Sequence, residues 1–436
     1  MHLSRGFVFP CLAVVMLAAF SGQAFSANFA AVGTCTPPNP VTPAHTYLTI
    51  QLAVTSSAPG TVIQICPGTY PEQVVIGKKL TLEGVGSTPT NPAQNAAVIV
   101  PPTTGMVANA SDVDDSHPIA AQLLVQNTFS SVVSITNLTV DGFGNQISGC
   151  GPDLMGVLFQ NSAGTLNHDA VRNQVPGDVL SGCQSGESIF VETGSGFASK
   201  VTVENSSVHN YNKNGITGND ANTKLILTGN YVQGSGVVAG LAAQNGIQLA
   251  FGATGSIGTE TVVDNVYQDP TTAATDILLF DAAENSAITV NTNTLGNSQI
   301  PIGIFTSDPG NTGDGVTVKS NHIFGTSTYD AIDVCTNGNT IMSNTIANSA
   351  ESAIHFDGSC GAGNSNTATA NTILESECAG LLVDAGTTGN SSGTETYYTV
   401  PFPLTSSTAS CPFVSGEVLA KAGAKTKPSA KFSPKR

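Results

Sequence analysis

The feature that most constrains this chain is a repeat. From Ser188 onward, short apolar segments return in the form "SIFVET", "GITGND", "GIQLAF", "DILLFD", "GIFTSD", "AIDVCT", "AIHFDG" and "GLLVDA". Their first apolar anchors are Ile189, Ile216, Ile247, Ile277, Ile304, Ile332, Ile354 and Leu381, spaced 27, 31, 30, 27, 28, 22 and 27 residues apart. A second series, "TGNYV", "NTNTL", "KSNHI", "MSNTI" and "TANTI", sets Asn230, Asn293, Asn321, Asn344 and Asn371 two residues before an aliphatic side chain. Two short strand signals per period, joined by Gly, Asn, Asp and Ser, leave no room for a helix of ordinary length. A period in the twenties with that content indicates a solenoid, and the leucine-dense consensus of a leucine-rich repeat is absent. The chain is therefore expected to be all-β: a single-stranded right-handed parallel β-helix, one repeat per coil, of roughly twelve coils. Equivalent residues stack at about 4.8 Å. The recurring asparagines are expected to form an amide ladder at one corner, which is a structural role.

Near its start the solenoid has a denser passage. Val62 to Cys66, Gln73 to Ile76 and Leu80 to Glu83 read as strands, with turns at Pro67-Gly68 and Gly77-Lys78. Just before them, Ile50, Ala53 and Val54 fall at helical spacing, so a short helix over 47–57 is expected to cap the open end of the core. The motifs "TIQLAV", "APGTVIQICPGTYPEQVVI" and "KKLTLEGVG" resemble the opening segment of the pectin-lyase-like superfamily, especially its right-handed parallel β-helix repeat proteins. The resemblance covers roughly residues 47–385. It implies the same fold, in a superfamily whose members include lyases, esterases, hydrolases and epimerases, so it does not fix an activity.

The flanks imply export. Arg5 precedes an apolar run from Phe7 to Phe20 and small residues up to Ala27, so residues 1–26 read as a signal peptide. No later stretch is long and apolar enough for a transmembrane segment. Eight of the nine cysteines lie beyond that segment, as expected for a secreted (extracellular or periplasmic) protein with disulfides. Neighbour pairing (Cys35–Cys66, Cys150–Cys183, Cys335–Cys360, Cys378–Cys411) is the expected arrangement, with other connectivities open. The remaining divisions are a lead segment at 27–46, a closing segment at 386–420, and a basic tail at 421–436 that is expected to be disordered. Removing the tail's six cations and Arg5 from the fourteen leaves seven cations against thirty carboxylates, a body near −23. Nucleic acid is excluded as a partner by that field, and polyanionic uronates are opposed by it.

The family's known chemistries leave no signature. "GTYPEQ" resembles the first motif of pectin methylesterases, but the later motifs are missing and the chain has no Trp. Polygalacturonase-like motifs are absent, and Arg172 is the lone arginine of the body. Geometry suggests a different candidate. With the anchors inward, the residues one and three positions later point outward. One outward column then reads Phe190, Thr217, Gln248, Leu278, Phe305, Asp333, His355, Leu382, and the next reads Glu192, Asn219, Ala250, Phe280, Ser307, Cys335, Asp357, Asp384. Asp333, His355, Asp357 and Asp384 become a candidate catalytic cluster on a solvent-facing surface. Asp357 and Asp384 should lie about 5 Å apart at the backbone, a disposition used to hydrolyse glycosidic bonds. Gln248, Leu278, Phe280 and Phe305 become candidate contacts for a sugar face. The expected partner is a polysaccharide or cell-surface glycan, bound and, if the protein is an enzyme, altered by a hydrolase, lyase or epimerase reaction. The alternative is a non-catalytic surface or adhesion scaffold, with oligomerisation over the apolar strip left open. No cofactor and no metal ligand set is assigned; calcium fits the carboxylate content, but no specific motif supports it. Metal delivery is disfavoured by few histidines and scattered methionines.

Overall fold

The computed structural model describes residues 29–35, 45–86, 91–177, 182–237, 242–267, 273–285, 288–326 and 329–406. The signal segment, residues 407–420 of the closing segment and the basic tail lie outside them, as does Cys411.

The chain winds as a right-handed parallel β-helix whose strands form three sheets of 14, 12 and 13 strands. A typical coil visits each sheet once: Ser199–Glu204 in the first, Ser207–Tyr211 in the second, Asn214–Asn219 in the third. The sequence showed two strand signals per repeat, in the third sheet and in the second just after the recurring asparagine; the third strand of each coil lies in the first sheet, before that corner. The third sheet, crossed once per coil, has twelve strands on the coil path, the number of coils expected, and its thirteenth strand is an antiparallel strap off that path. Strands also occur outside 47–385: Phe29–Val32 and His45–Tyr47 extend the first sheet, and Phe402–Thr405 ends the third. Pairing is parallel throughout the three sheets, with one antiparallel strap, Ala110–Ser111 against Ile119 and Pro118.

The predicted helix is present at Ile50–Ser56, with Ile50, Ala53 and Val54 buried. Thr49 caps it through its side chain, and the Glu72 carboxylate accepts the Ile50 and Gln51 backbone N–H groups, both at 2.8 Å. A carboxylate there meets both the unpaired donors and the positive end of the helix dipole.

The asparagine ladder is longer than the sequence indicated. Each member's backbone N–H donates to the side-chain oxygen of the member one coil on. The run is Leu138, Asp169, Ser206, Asn230, Glu260, Asn293, Asn321, Asn344, Asn371, Glu395. The residue before each inner member is left-handed, including the non-glycine His168, Thr259, Thr292, Ser320, Ser343 and Ala370. Such φ values are uncommon for side-chain-bearing residues, and the ladder bonds fix this sharp corner between the first and second sheets.

One register differs from the sequence reading. Ile302, not Ile304, pairs with Ile277 and Ile332. Gly303 therefore takes the first outward column, and Phe305 moves to the second, beside Phe280 and Cys335 in place of Ser307. A slip of two residues keeps every side chain on its face, so alternation could not decide between two inward isoleucines. Packing does decide: the Phe305 ring lies over Gly303, where a Cβ would collide with it.

A buried aspartate–histidine cluster on the third sheet

Three consecutive coils bring the candidate cluster together. Asp333 pairs with His355 in register, between strands Ile332–Cys335 and Ile354–Phe356. Asp357 and Asp384 each sit one residue past a strand end, and their backbone N–H groups continue the ladder to Val334 O (2.9 Å) and Phe356 O (3.1 Å). All four residues named from the sequence converge as expected. His355 is the centre: Nε2 lies 3.1 Å from Asp384 Oδ1, and Nδ1 lies 3.8 Å from Asp333 Oδ1.

The expected solvent exposure is not observed. Asp333, His355 and Asp357 are buried, and of the four only Asp384 reaches water, its side chain 31 % exposed. The turn after Asp357 folds back over the column. Ser359 donates to both Asp357 oxygens (2.7 Å from N, 2.9 Å from Oγ), Gly358 N donates to Asp384 Oδ2 at 3.1 Å, and the Cys335–Cys360 disulfide ties this turn to the coil before. The disulfides Cys35–Cys66 and Cys150–Cys183 also pair neighbours as expected.

The sequence reading missed a fifth member, Asp330. Its Oδ2 lies 3.0 Å from His355 Nδ1, and its Oδ1 accepts the Ser352 N–H at 2.8 Å. A signal for it exists. The position two residues before the anchor is polar in most coils (Glu187, Asn214, Asn245, Thr275, Asp330, Ser352), a column separate from the two outward ones. Two triads share His355: Asp330, Asp333 and His355 bring one ligand atom each within 4.8 Å of one another, and so do His355, Asp357 and Asp384. Either has a donor set able to hold a cation.

The four candidate sugar contacts do not form an open strip. Leu278 and Phe305 are buried in a satellite cluster with Ala273, Ile300 and Cys335, against half-buried Phe280, Tyr329 and Cys360. Chain segments flanking the strands supply Ala273, Tyr329 and Cys360, which cover the face. Gln248 is buried as well: its Nε2 donates to Asn219 Oδ1 (3.1 Å), and its Oε1 accepts from Asn214 and Asn245 (both 3.3 Å). It is a hub of an amide network, and of the four only Phe280 keeps part of its surface exposed.

Other segments singled out in the sequence hold the coils together. Arg172 Nε donates to Asp141 Oδ2 at 2.8 Å across adjacent coils, and Asp169 belongs to the ladder. The "SDVDDSH" turn has an exposed tip, but its Asp112 is buried. Asp112 lies near Glu192, whose carboxyl is pushed up to about 8 by burial first and by Asp112 second.

These features define a parallel β-helix with a buried aspartate–histidine centre. No protein-family model matches the chain, and no curated protein sequence does. Among solved structures, the native GH136 lacto-N-biosidase from Eubacterium ramulus superposes with a TM-score of 0.53 at 12% identity, over 86% of this chain and 68% of that one. The A-module of a mannuronan C-5 epimerase from Azotobacter vinelandii gives 0.43 at 13% identity, covering 84% and 95%. A pectin methylesterase in complex with a hexasaccharide gives 0.40 at 14% identity, covering 69% and 90%. At such identities the likeness is one of fold. Among the described residues, no helix is long and apolar enough to cross a membrane.

Proposed function

We propose that the protein is exported, binds an extracellular or cell-wall polysaccharide at the third sheet, and acts on it through Asp384. The carrying observation is the pair His355 Nε2 and Asp384 Oδ1 at 3.1 Å, in which the histidine is buried and the carboxylate reaches solvent. A fixed imidazole behind an exposed carboxylate sets that carboxylate's orientation and can pass it a proton. Hydrolysis, elimination and epimerisation of sugars all need such a transfer. A lacto-N-biosidase of the same fold supports a carbohydrate ligand, and the acidic body favours a neutral one. The disulfides and the signal-like first residues support export.

A glycan array followed by reducing-end and unsaturated-product assays tests the reading. Asp384→Asn is expected to cut turnover by roughly 10²–10⁴-fold with an unchanged circular dichroism spectrum. Equal turnover by wild type and variant would sink the proposal. A blank array would sink it too, and would leave the adhesion scaffold, checked by sedimentation, in its place.

A further inference from the structure

We infer that the inner half of the cluster is a divalent metal site, formed by Asp330 Oδ2, Asp333 Oδ1 and His355 Nδ1. The inference is independent of the carbohydrate reading. It begins with the placement of the ring. Both ring nitrogens of His355 face carboxylates, Nδ1 toward Asp330 at 3.0 Å and Nε2 toward Asp384 at 3.1 Å. A protonated ring donates to both sides, whereas a neutral one turns a lone pair on one of them. With a cation between Nδ1 and the two inner carboxylates, Nδ1 ligates and Nε2–H donates to Asp384. Donation from a ligating histidine's other nitrogen to a carboxylate is the usual way such a ring is oriented and made more basic.

Distances and charge agree. Nδ1 lies 3.0 and 3.8 Å from the two carboxylate oxygens, and all three donors fall within 4.8 Å of one another. Donors bound at about 2.0–2.2 Å around one ion stand roughly 3–3.5 Å apart, so the triad needs little movement to close on it. Four carboxylates surround one imidazole here, and Asp330, Asp333 and Asp357 are each at most 4 % exposed. Anionic groups so enclosed repel one another, and a dication offsets that repulsion. The chemistry of the donors names the class of ion. One imidazole and two carboxylates, with a further position left for water, suit zinc or another first-row divalent ion. Calcium, which takes six to eight oxygens, fits poorly.

The test uses the full chain, purified without chelator and again after dialysis against EDTA. Metal content by mass spectrometry and titration calorimetry with ZnCl2, MnCl2 and CaCl2 are expected to show one site that prefers zinc or manganese to calcium. Asp330→Asn and Asp333→Asn should each weaken it at least 100-fold. Asp384→Asn, which removes only the hydrogen bond to the ligand's other nitrogen, should weaken it about 10–100-fold. Because a buried substitution can unfold the protein, wild type loaded with Co2+ provides a second readout, expected to show the visible d–d absorption of a low-coordinate site. No bound metal, a calcium-only site, or affinity unchanged in Asp330→Asn and Asp333→Asn would each overturn the inference. None of these readouts involves a glycan, so failure of the carbohydrate reading leaves them standing.

Discussion

Glu260 sits in the corner ladder among neutral amides, and replacing it with glutamine should change how stability depends on pH. Glu260 is 1 % exposed; its carboxylate accepts the Asn230 N–H at 3.1 Å and the Asn230 Nδ2 at 3.3 Å. Burial lifts its pKa from 4.5 to about 8, outweighing the Asn230 and Gly229 hydrogen bonds that pull it down. With the folded pKa above the unfolded one, the folded state binds the extra proton. This group's contribution is therefore full below about pH 4.5 and is lost as pH rises through about 8. At 1.36 kcal/mol per tenfold change, that full loss is roughly 5 kcal/mol. Glu260→Gln keeps the shape and removes the titration. One amide oxygen can serve both Asn230 donors, as Asn321 Oδ1 does for the N–H and Nδ2 of Asn293. Urea unfolding of wild type and variant at intervals from pH 5 to pH 8.5 measures the difference, with the slope against urea checking that the same structure unfolds. The two should be similar at pH 5, and the variant should gain several kcal/mol over wild type by pH 8.5. Parallel stability curves would refute the reasoning.

Two further substitutions probe how the coils are held. Asn321→Ala deprives Asn293 of the acceptor for two buried donors, so stability should fall by about 2–5 kcal/mol; a thermal midpoint equal to wild type would show that the ladder contributes nothing. Replacing Cys335 and Cys360 together by serine opens a bridge across 25 residues and should lower stability by about 3 kcal/mol. It should also increase hydrogen exchange at Ser359 and Cys360, and unchanged protection there would mean that the disulfide is not what holds the turn over Asp357.

The repeat made the fold legible because its inward stacks need one residue type at one spacing. The ladder was only half legible, since the corner needs an acceptor oxygen and not an amide: Asp169, Ser206, Glu260 and Glu395 serve beside the asparagines and escape a search for asparagine alone. The convergence of Asp333, His355, Asp357 and Asp384 followed from the period, which sets which coils are neighbours. Their burial did not. Alternation tells whether a side chain points into the coil or away from it, but not whether the connecting segments then lie on top. That is why Leu278, Phe305 and Gln248, rightly placed as outward, proved to be covered. Asp330 was missed because it precedes the regular strand by two residues.

Because Asp330, His355 and Asp384 come from three successive turns of the solenoid, the cluster constrains how such a gene can change. Elsewhere, duplicating or deleting a whole coil preserves the stacks, and the ladder accepts Asn, Ser, Asp or Glu at the junction. Between Asp330 and Asp384, the same event would part the histidine from a carboxylate by about 4.8 Å, beyond hydrogen-bond reach. Residues 330–384 should therefore keep a fixed coil count among relatives of this chain, while the coils before them vary in number.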